Sequence, residues 1–336
     1  MKRKLFLIIV LILLISISGC GGKKDVKKSL EEIRTGTEGI SVSFLPNNPP
    51  ATIHVENDNT PFDVILELKN KGAYPQPDEQ DFYVNVYLSG YDKNILELDV
   101  ERNDVNRLKT SLIGKSLVNI GGGSDIVTFK GKVKSSQLNV EKYEPILLAT
   151  ACYKYSTTAE PSVCIEPDPY STLTQKKVCE VKDISLSGQG APIAVTKINE
   201  ESFKEKTQFK LTIKNVGNGD VIKEQSIKKC DPFGKAENDK IGREDLDKVY
   251  LERVTIGGLP LDCSPFAEDS VRSTQGIIRL VNGEGYIVCD LQKEGYDAYK
   301  ESKTAFTTPL KITLSYGYRT IAQRSLQIKK EMSGNN

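Results

Sequence analysis

Val64-Ile65-Leu66-Glu67-Leu68-Lys69-Asn70-Lys71-Gly72 and Phe209-Lys210-Leu211-Thr212-Ile213-Lys214-Asn215-Val216-Gly217 are one pattern written twice, 145 residues apart. In each, apolar and polar residues alternate, and the run stops at Lys-Asn-x-Gly. A period of two puts every second side chain on one face of a strand. Asn and Gly tolerate left-handed backbone, so the ending predicts a tight turn built on Asn70 and Gly72, and on Asn215 and Gly217. The apolar faces of Val64, Leu66 and Leu68, and of Phe209, Leu211 and Ile213, each need a second sheet to cover them.

A second match follows in the same order. Tyr153-Lys154-Tyr155-Ser156-Thr157 corresponds to Tyr316-Gly317-Tyr318-Arg319-Thr320 at an offset of 163, and each follows an apolar strand that begins after a proline, Pro145 or Pro309. Two matches at similar offsets imply a duplicated unit of about 120–150 residues. The larger second offset calls for an insertion in the second copy, and the polar stretch Cys230–Asp247 is the candidate. Further strands are predicted at Phe82–Leu88, Ile95–Val100, Ile126–Lys132, Ile146–Tyr155, Val249–Ile256, Gly276–Leu280, Tyr286–Leu291, Leu310–Tyr318 and Ala322–Ile328. Short strands at regular spacing with turn signals between them predict a β-sandwich. The composition agrees, with no Trp, two Met and many Val, Ile, Thr and Tyr.

The N-terminus bears on location. Lys2, Arg3 and Lys4 precede an apolar run from Leu5 to Ile15, and Ser18 and Gly19 lead into Cys20. This is the layout of a secretory signal peptide. The apolar stretch of about 14 residues is short for a spanning helix, which needs about 20. Ile17-Ser18-Gly19-Cys20 resembles a lipobox. The resemblance implies a diacylglyceryl thioether on Cys20 and a mature chain beginning there, tethered to the outer face of the cell membrane. Beyond it, Gly21–Glu38 reads as a spacer in which Lys23, Lys24, Lys27 and Lys28 stand beside the lipid, where each would favour anionic headgroups by at most about 1 kcal/mol.

The charge balance excludes one class of partner. The whole chain carries +1, and loss of residues 1–19, which hold three cations, gives −2. A nucleic-acid binder would present a basic face. Setting aside Cys20 leaves Cys152, Cys164, Cys179, Cys230, Cys263 and Cys289. Six cysteines on an exported chain read as three disulfides, since no Cys-x-x-Cys pair exists and the single histidine, His54, is distant. Cys152 and Cys164 flank an apparent turn near Thr158, so a hairpin there would pair them. Cys179 lies just past the predicted linker Glu166–Lys177, and a bond from it to Cys152 or Cys164 would stiffen that linker. The remaining connectivity stays open.

No catalytic motif stands out. His54 lies in a strand-like run without a Gly-x-Ser-x-Gly partner. Gly114-Lys115-Ser116 has Lys109 where a phosphate loop needs glycine. Gly121-Gly122-Gly123 reads as a hairpin tip. The acidic groups Asp78–Asp81, Glu166–Asp168 and Glu244–Asp247 lack the spacing of a calcium loop, so no metal and no cofactor are expected. No acceptor sequon for N-glycosylation occurs. Tyr153/Tyr155 and Tyr316/Tyr318 each face one side of a strand, which suits sheet packing or a contact surface.

The Asn-x-Gly endings resemble those of extracellular immunoglobulin-like domains of the CARDB type. Phe44–Pro50, Leu66–Tyr74, Tyr87–Asp92, Ala151-Cys152-Tyr153, Val163-Cys164-Ile165, Leu186–Pro192 and Leu314–Tyr318 are similar to a family of two-domain envelope proteins from small-genome archaea. That resemblance implies an exported, disulfide-bonded pair of sandwiches and no known activity. The expectation is an all-β chain: signal peptide 1–19, spacer 20–38, then immunoglobulin-like sandwiches over 39–166 and 178–330. Its expected work is non-catalytic binding or positioning of other envelope or surface proteins. An accessory subunit of an uptake or secretion machine is the second reading, and an extracellular hydrolase the third.

Overall fold

The structure, a computed structural model, describes residues 33–76, 82–99, 106–108, 112–170, 177–234, 239–268, 272–302 and 304–331. Twenty-one strands are described. The first ten are β1 (Ile40–Phe44), β2 (Thr52–Val55), β3 (Thr60–Asn70), β4 (Val84–Ser89), β5 (Leu96–Asp99), β6 (Asn106–Leu108), β7 (Ser124–Val133), β8 (Lys142–Tyr143), β9 (Ile146–Ala159) and β10 (Ser162–Ile165). Then come β11 (Ile184–Ser185), β12 (Ile193–Ser202), β13 (Lys206–Asn215), β14 (Asp220–Ile222), β15 (Lys248–Ile256) and β16 (Leu259–Pro260). The last are β17 (Asp262–Ser264), β18 (Gly276–Arg279), β19 (Glu284–Gln292), β20 (Phe306–Ser325) and β21 (Gln327–Lys330), with one short helix, α1 (Asp297–Glu301), before β20.

The duplication is visible in the pairing. One outer sheet has the order β1-β3-β7-β5, and the other contains β12-β13-β19-β17 with β11 added outside β12. The first is the A-B-E-D order of an immunoglobulin-type sheet. Ile40 opposes Asn70 in the first copy as Ile193 opposes Asn215 in the second. In β3, Val64, Leu66 and Leu68 are wholly buried while Asp63 and Glu67 face water; Phe209, Leu211 and Ile213 repeat this in β13. The covering face is a single nine-stranded sheet with the spine β16-β15-β20-β9-β4-β6. Each half donates its two central strands to this shared sheet, β4 and β9 from the first and β15 and β20 from the second.

In the place where an isolated sandwich would put its last strand, each half uses the other half. β9 pairs with β20 over fourteen residues, from Ala159↔Ile312 to Ile146↔Ser325. β10 continues in the same register against Phe306–Pro309. β21 extends the other end against β8, with Ile328 opposite Tyr143. One antiparallel ladder therefore runs from Lys142↔Lys329 to Ile165↔Phe306, centred on Lys154↔Gly317. Lys154 and Gly317 are also equivalent positions of the repeat, so an approximate twofold axis passes between them. The contact is isologous, like the interface of a symmetric dimer, here within one chain.

This ladder corrects two expectations. Leu310–Tyr318 and the first part of Ala322–Ile328, as far as Ser325, belong to one strand, β20, which carries on through Arg319-Thr320-Ile321, while Gln327 and Ile328 open β21. The turn expected near Thr158 is absent too. Thr157 and Thr158 are β-branched and stay extended, and Pro161, though it lacks an N–H, still accepts from Leu310 N–H at 2.9 Å. Cys152 and Cys164 thus lie twelve residues apart on a straight run, about 40 Å, and cannot bridge. Cys152 bonds Cys230, Cys164 bonds Cys179 and Cys263 bonds Cys289.

The extra length of the second copy lies between Asn215 and Tyr250, where thirty-five residues replace the fifteen from Asn70 to Asn85. Its first part forms a 3-10 turn over Glu224–Cys230 that lies on the outer face of the shared sheet. There Ile222, Ile227 and Cys230 pack with Tyr87 and Cys152 of the first half. A Cβ on Gly317 would press on Ile222 and Ile227, which explains glycine where the first copy has Lys154. Lys154 instead pairs with Glu224 at 2.9 Å. This cover makes Val84–Leu88 buried on both faces.

Removing Cys152–Cys230, which closes a separation of 78 residues, is expected to cost about 4 kcal/mol, against about 3 kcal/mol for Cys164–Cys179 with a separation of 15. Paired Cys→Ala variants followed by guanidinium unfolding read this order directly.

Candidate functional site

The two sequence signatures of the repeat meet at the centre of the molecule. The rings of Tyr153, Tyr155, Tyr316 and Tyr318 form a closed circuit with centroid separations of 5.7, 6.4, 6.3 and 6.0 Å. Edge and tilted contacts of this kind suit the aromatic quadrupole. Each hydroxyl then reaches the outer sheet. Tyr155 Oη donates to Asn70 Oδ1 at 3.1 Å, and Tyr318 Oη donates to Asn215 Oδ1 at 3.0 Å. The Asn oxygens also accept from Gly72 N–H (3.0 Å) and Gly217 N–H (3.2 Å). Asn70 Nδ2 donates to Tyr74 O and Leu112 O, and Asn215 Nδ2 to Gly219 O. The asparagine is a three-way clasp between strand end, turn and tyrosine.

The reason for the glycines differs from the sequence expectation. Asn70, Gly72, Asn215 and Gly217 are all absent from the residues with positive φ. A Cβ on Gly72 would collide with Tyr155 Oη, and one on Gly217 with Tyr318 Oη. Glycine is needed because the tyrosine hydroxyl occupies the side-chain position. Tyr153 and Tyr316 complete the node. Ile40 N–H donates to Tyr153 Oη at 3.0 Å and Ile193 N–H to Tyr316 Oη at 3.3 Å. Across the twofold, Thr157 Oγ1 of the first half donates to Ile193 O at 2.7 Å, and Thr320 Oγ1 of the second donates to Ile40 O at 3.2 Å. The halves exchange equivalent hydrogen bonds.

Burial governs the chemistry of this node. It pushes the Tyr153 and Tyr316 hydroxyls well above the ordinary tyrosine range, Tyr155 upward as well, and Tyr318 up to about 12. The four phenols are saturated, neutral and wholly or almost wholly enclosed. They serve packing, and the alternative of a tyrosine contact surface is set aside.

The other singled-out residues scatter. His54 is exposed on β2, with Nδ1 at 3.1 Å from Glu331. Lys115 donates to Thr35 O and Ser116 Oγ accepts from Asn119 N–H. Gly122, with φ of 73°, sits in the tip before β7, against Asn70 O. Asp245 is held by Ser226, Lys229 and Gly242 N–H; burial raises its carboxyl, but these bonds outweigh it and the net shift is downward. Glu166 pairs with Lys177 at 2.8 Å. Cys20 and Asp78–Asp81 lie outside the described residues. Among the described residues no three His, Cys, Asp or Glu side chains gather as metal ligands, and no helix is long and apolar enough to cross a membrane. Three disulfides suit an oxidising environment.

One titratable group escaped the sequence reading. Glu200, on β12 of the second half, is 5 % exposed and accepts from Cys164 N–H of the first at 3.3 Å, while its Oε1 finds no donor. Desolvation lifts its carboxyl to about 7. Nothing in the alternation of Asn199-Glu200-Glu201 marks which glutamate turns inward. No protein-family model matches the chain, and no curated protein matches it either.

Asn70→Ala strands the buried Leu112 carbonyl, the half-buried Tyr74 carbonyl and the Gly72 N–H and is expected to cost about 3 kcal/mol, Asn215→Ala about 2 kcal/mol, measured by denaturant unfolding. Glu200 has a folded-state pKa above its unfolded one, so its contribution is present in acid and lost as pH rises from about 4.5 through about 7. Glu200→Gln should therefore match the wild type at pH 4 and exceed it at pH 8 by on the order of 2 kcal/mol.

Proposed function

We propose that this chain is a non-catalytic, lipid-anchored envelope protein that binds or positions other surface proteins. The observation that carries the reading is the rigid union of the halves. A shared sheet, exchanged threonine bonds and the Cys152–Cys230 link fix their relative placement. A single fixed placement suits a spacer or assembly component better than a loose tether. It equally favours the second reading, an accessory subunit of an uptake or secretion machine in the same membrane. A hydrolase reading asks for an acidic cleft between the halves. The groove there holds Glu38 and Glu67 beside Lys69 and Lys71, with Glu38 paired to Lys71 at 3.0 Å, which lends it no support.

The lipid tether rests on the sequence around Cys20. Cys20→Ser is expected to move the chain from the detergent phase to the aqueous phase on extraction of cells; retention in the detergent phase would contradict the tether. Cross-linking on intact cells, with capture through the second half and mass spectrometry, is expected to recover one abundant envelope protein or transporter subunit. Recovery of self-contacts alone would contradict the assembly role.

A further inference from the structure

The approximate symmetry of the two halves breaks at one edge. Ile40 and Ile193 are treated alike, each bonded to a tyrosine and to a threonine of the opposite half. The next positions facing away from the sheet interior are Val42 and Phe44 on the edge strand β1, matched by register to Val195 and Ile198 on β12. In the second half both are covered. Val195 N–H donates to Gln189 Oε1 at 3.0 Å, and Gln189 Nε2 donates to Val195 O at 3.1 Å, so the side-chain amide acts as a peptide group. Ile198 opposes Ile184 of β11, and Leu186 N–H donates to Thr196 O at 3.0 Å.

In the first half these positions stand open. Lys71 N–H donates to Gly39 O and Leu45 N–H to Ile65 O, so the odd-numbered residues of β1 face β3 and the even-numbered ones face away. Beyond Ile40, the outward N–H and C=O groups of Val42 and Phe44 have no partner among the described residues. The chain entering β1 does not cover them. It runs toward the other half, where Gly36 O accepts from Gly190 N–H at 3.0 Å and Arg34 stands beside Leu186–Gln189. Along the bare edge lies a groove of about 480 Å³, with Ser41, Val42 and Ser43 on one wall and Asn218, Thr320 and Ile321 on the other. Ile321 is 53 % exposed.

We infer that the β1 edge is a docking site for one extended segment of another polypeptide, added antiparallel to β1. The occupant has the chemistry of Ile184–Gln189: alternating apolar and small polar residues, with an amide-bearing side chain or backbone group facing Val42. Main-chain bonds to the free edge supply the binding, and Ile321 supplies an apolar wall. A groove walled by the second half admits one strand rather than the edge of a second folded sandwich. The inference rests on the binding role proposed above and names its contact.

The probe is a synthetic peptide of residues 182–190 added to the full mature chain, read by amide hydrogen exchange. The expected result is slowing of at least tenfold at Val42 and Phe44, absent with a scrambled peptide. Val42→Pro removes the outward N–H without touching the β3 ladder and is expected to abolish the effect. Ile321→Lys, which leaves β1 intact, is expected to weaken binding at least fivefold. Unchanged exchange in the wild type, or full binding by Val42→Pro, overturns the site. Wild-type dimers that Val42→Pro dissolves also overturn it, and assign the edge to a second copy. Cellular capture separates the two levels. Equal recovery of envelope partners by wild type and Val42→Pro removes this site and leaves the binding role standing. Recovery of none by either removes the binding role, while the peptide measurement still decides the site.

Discussion

The structure depends on one antiparallel ladder. Each half is a sandwich whose shared-sheet side holds only two long strands, β4 and β9 or β15 and β20. Two strands expose a free edge, and free edges recruit whatever can pair with them. The duplication resolves this by giving each half the other's long strand. The pairing from Lys142↔Lys329 to Ile165↔Phe306 closes both edges at once and brings four tyrosines to the axis. There the hydroxyls are enclosed, and a buried hydroxyl without a partner is costly. Asn70 and Asn215 meet that need for Tyr155 and Tyr318, which ties the turns after β3 and β13 to the interface between halves.

Symmetry explains what is shared, and the insertion explains what is not. Twenty additional residues in the second copy produce the turn over Glu224–Cys230, whose apolar side covers the outer face of the common sheet. Glycine at position 317 makes room for it. Cys152 and Cys230 then connect the halves on the face opposite the tyrosines. The sheet at the axis is held from both sides, by polar clasps within and by an apolar and covalent cover without.

Much of this was legible from residue order. Alternation in Val64–Leu68 and Phe209–Ile213 names the buried faces of β3 and β13, because their exposed side is solvent. Alternation fails in Val84–Leu88 and Ala149–Tyr153, where both faces are buried by cover that comes from remote parts of the chain. The repeat of Asn-x-Gly and Tyr-x-Tyr was readable, but not that the two motifs touch, since 85 residues separate Asn70 from Tyr155. The turn expected near Thr158 does not form: Pro161 interrupts the ladder only locally, and the strand resumes against Phe306–Pro309. The partner of Cys152 was hidden for the same reason as the tyrosine node: an insertion 78 residues away delivers it.

The central claim is that the two halves are one cooperative unit. Scanning calorimetry of the chain tests it most directly, by comparing the calorimetric with the van't Hoff enthalpy of unfolding. The shared ladder predicts a single transition with the two enthalpies equal, and still a single transition after Cys152 and Cys230 are both replaced by alanine. Two resolved transitions in that variant, each with its own enthalpy, would contradict it and make the disulfide, rather than the sheet, the bond between halves.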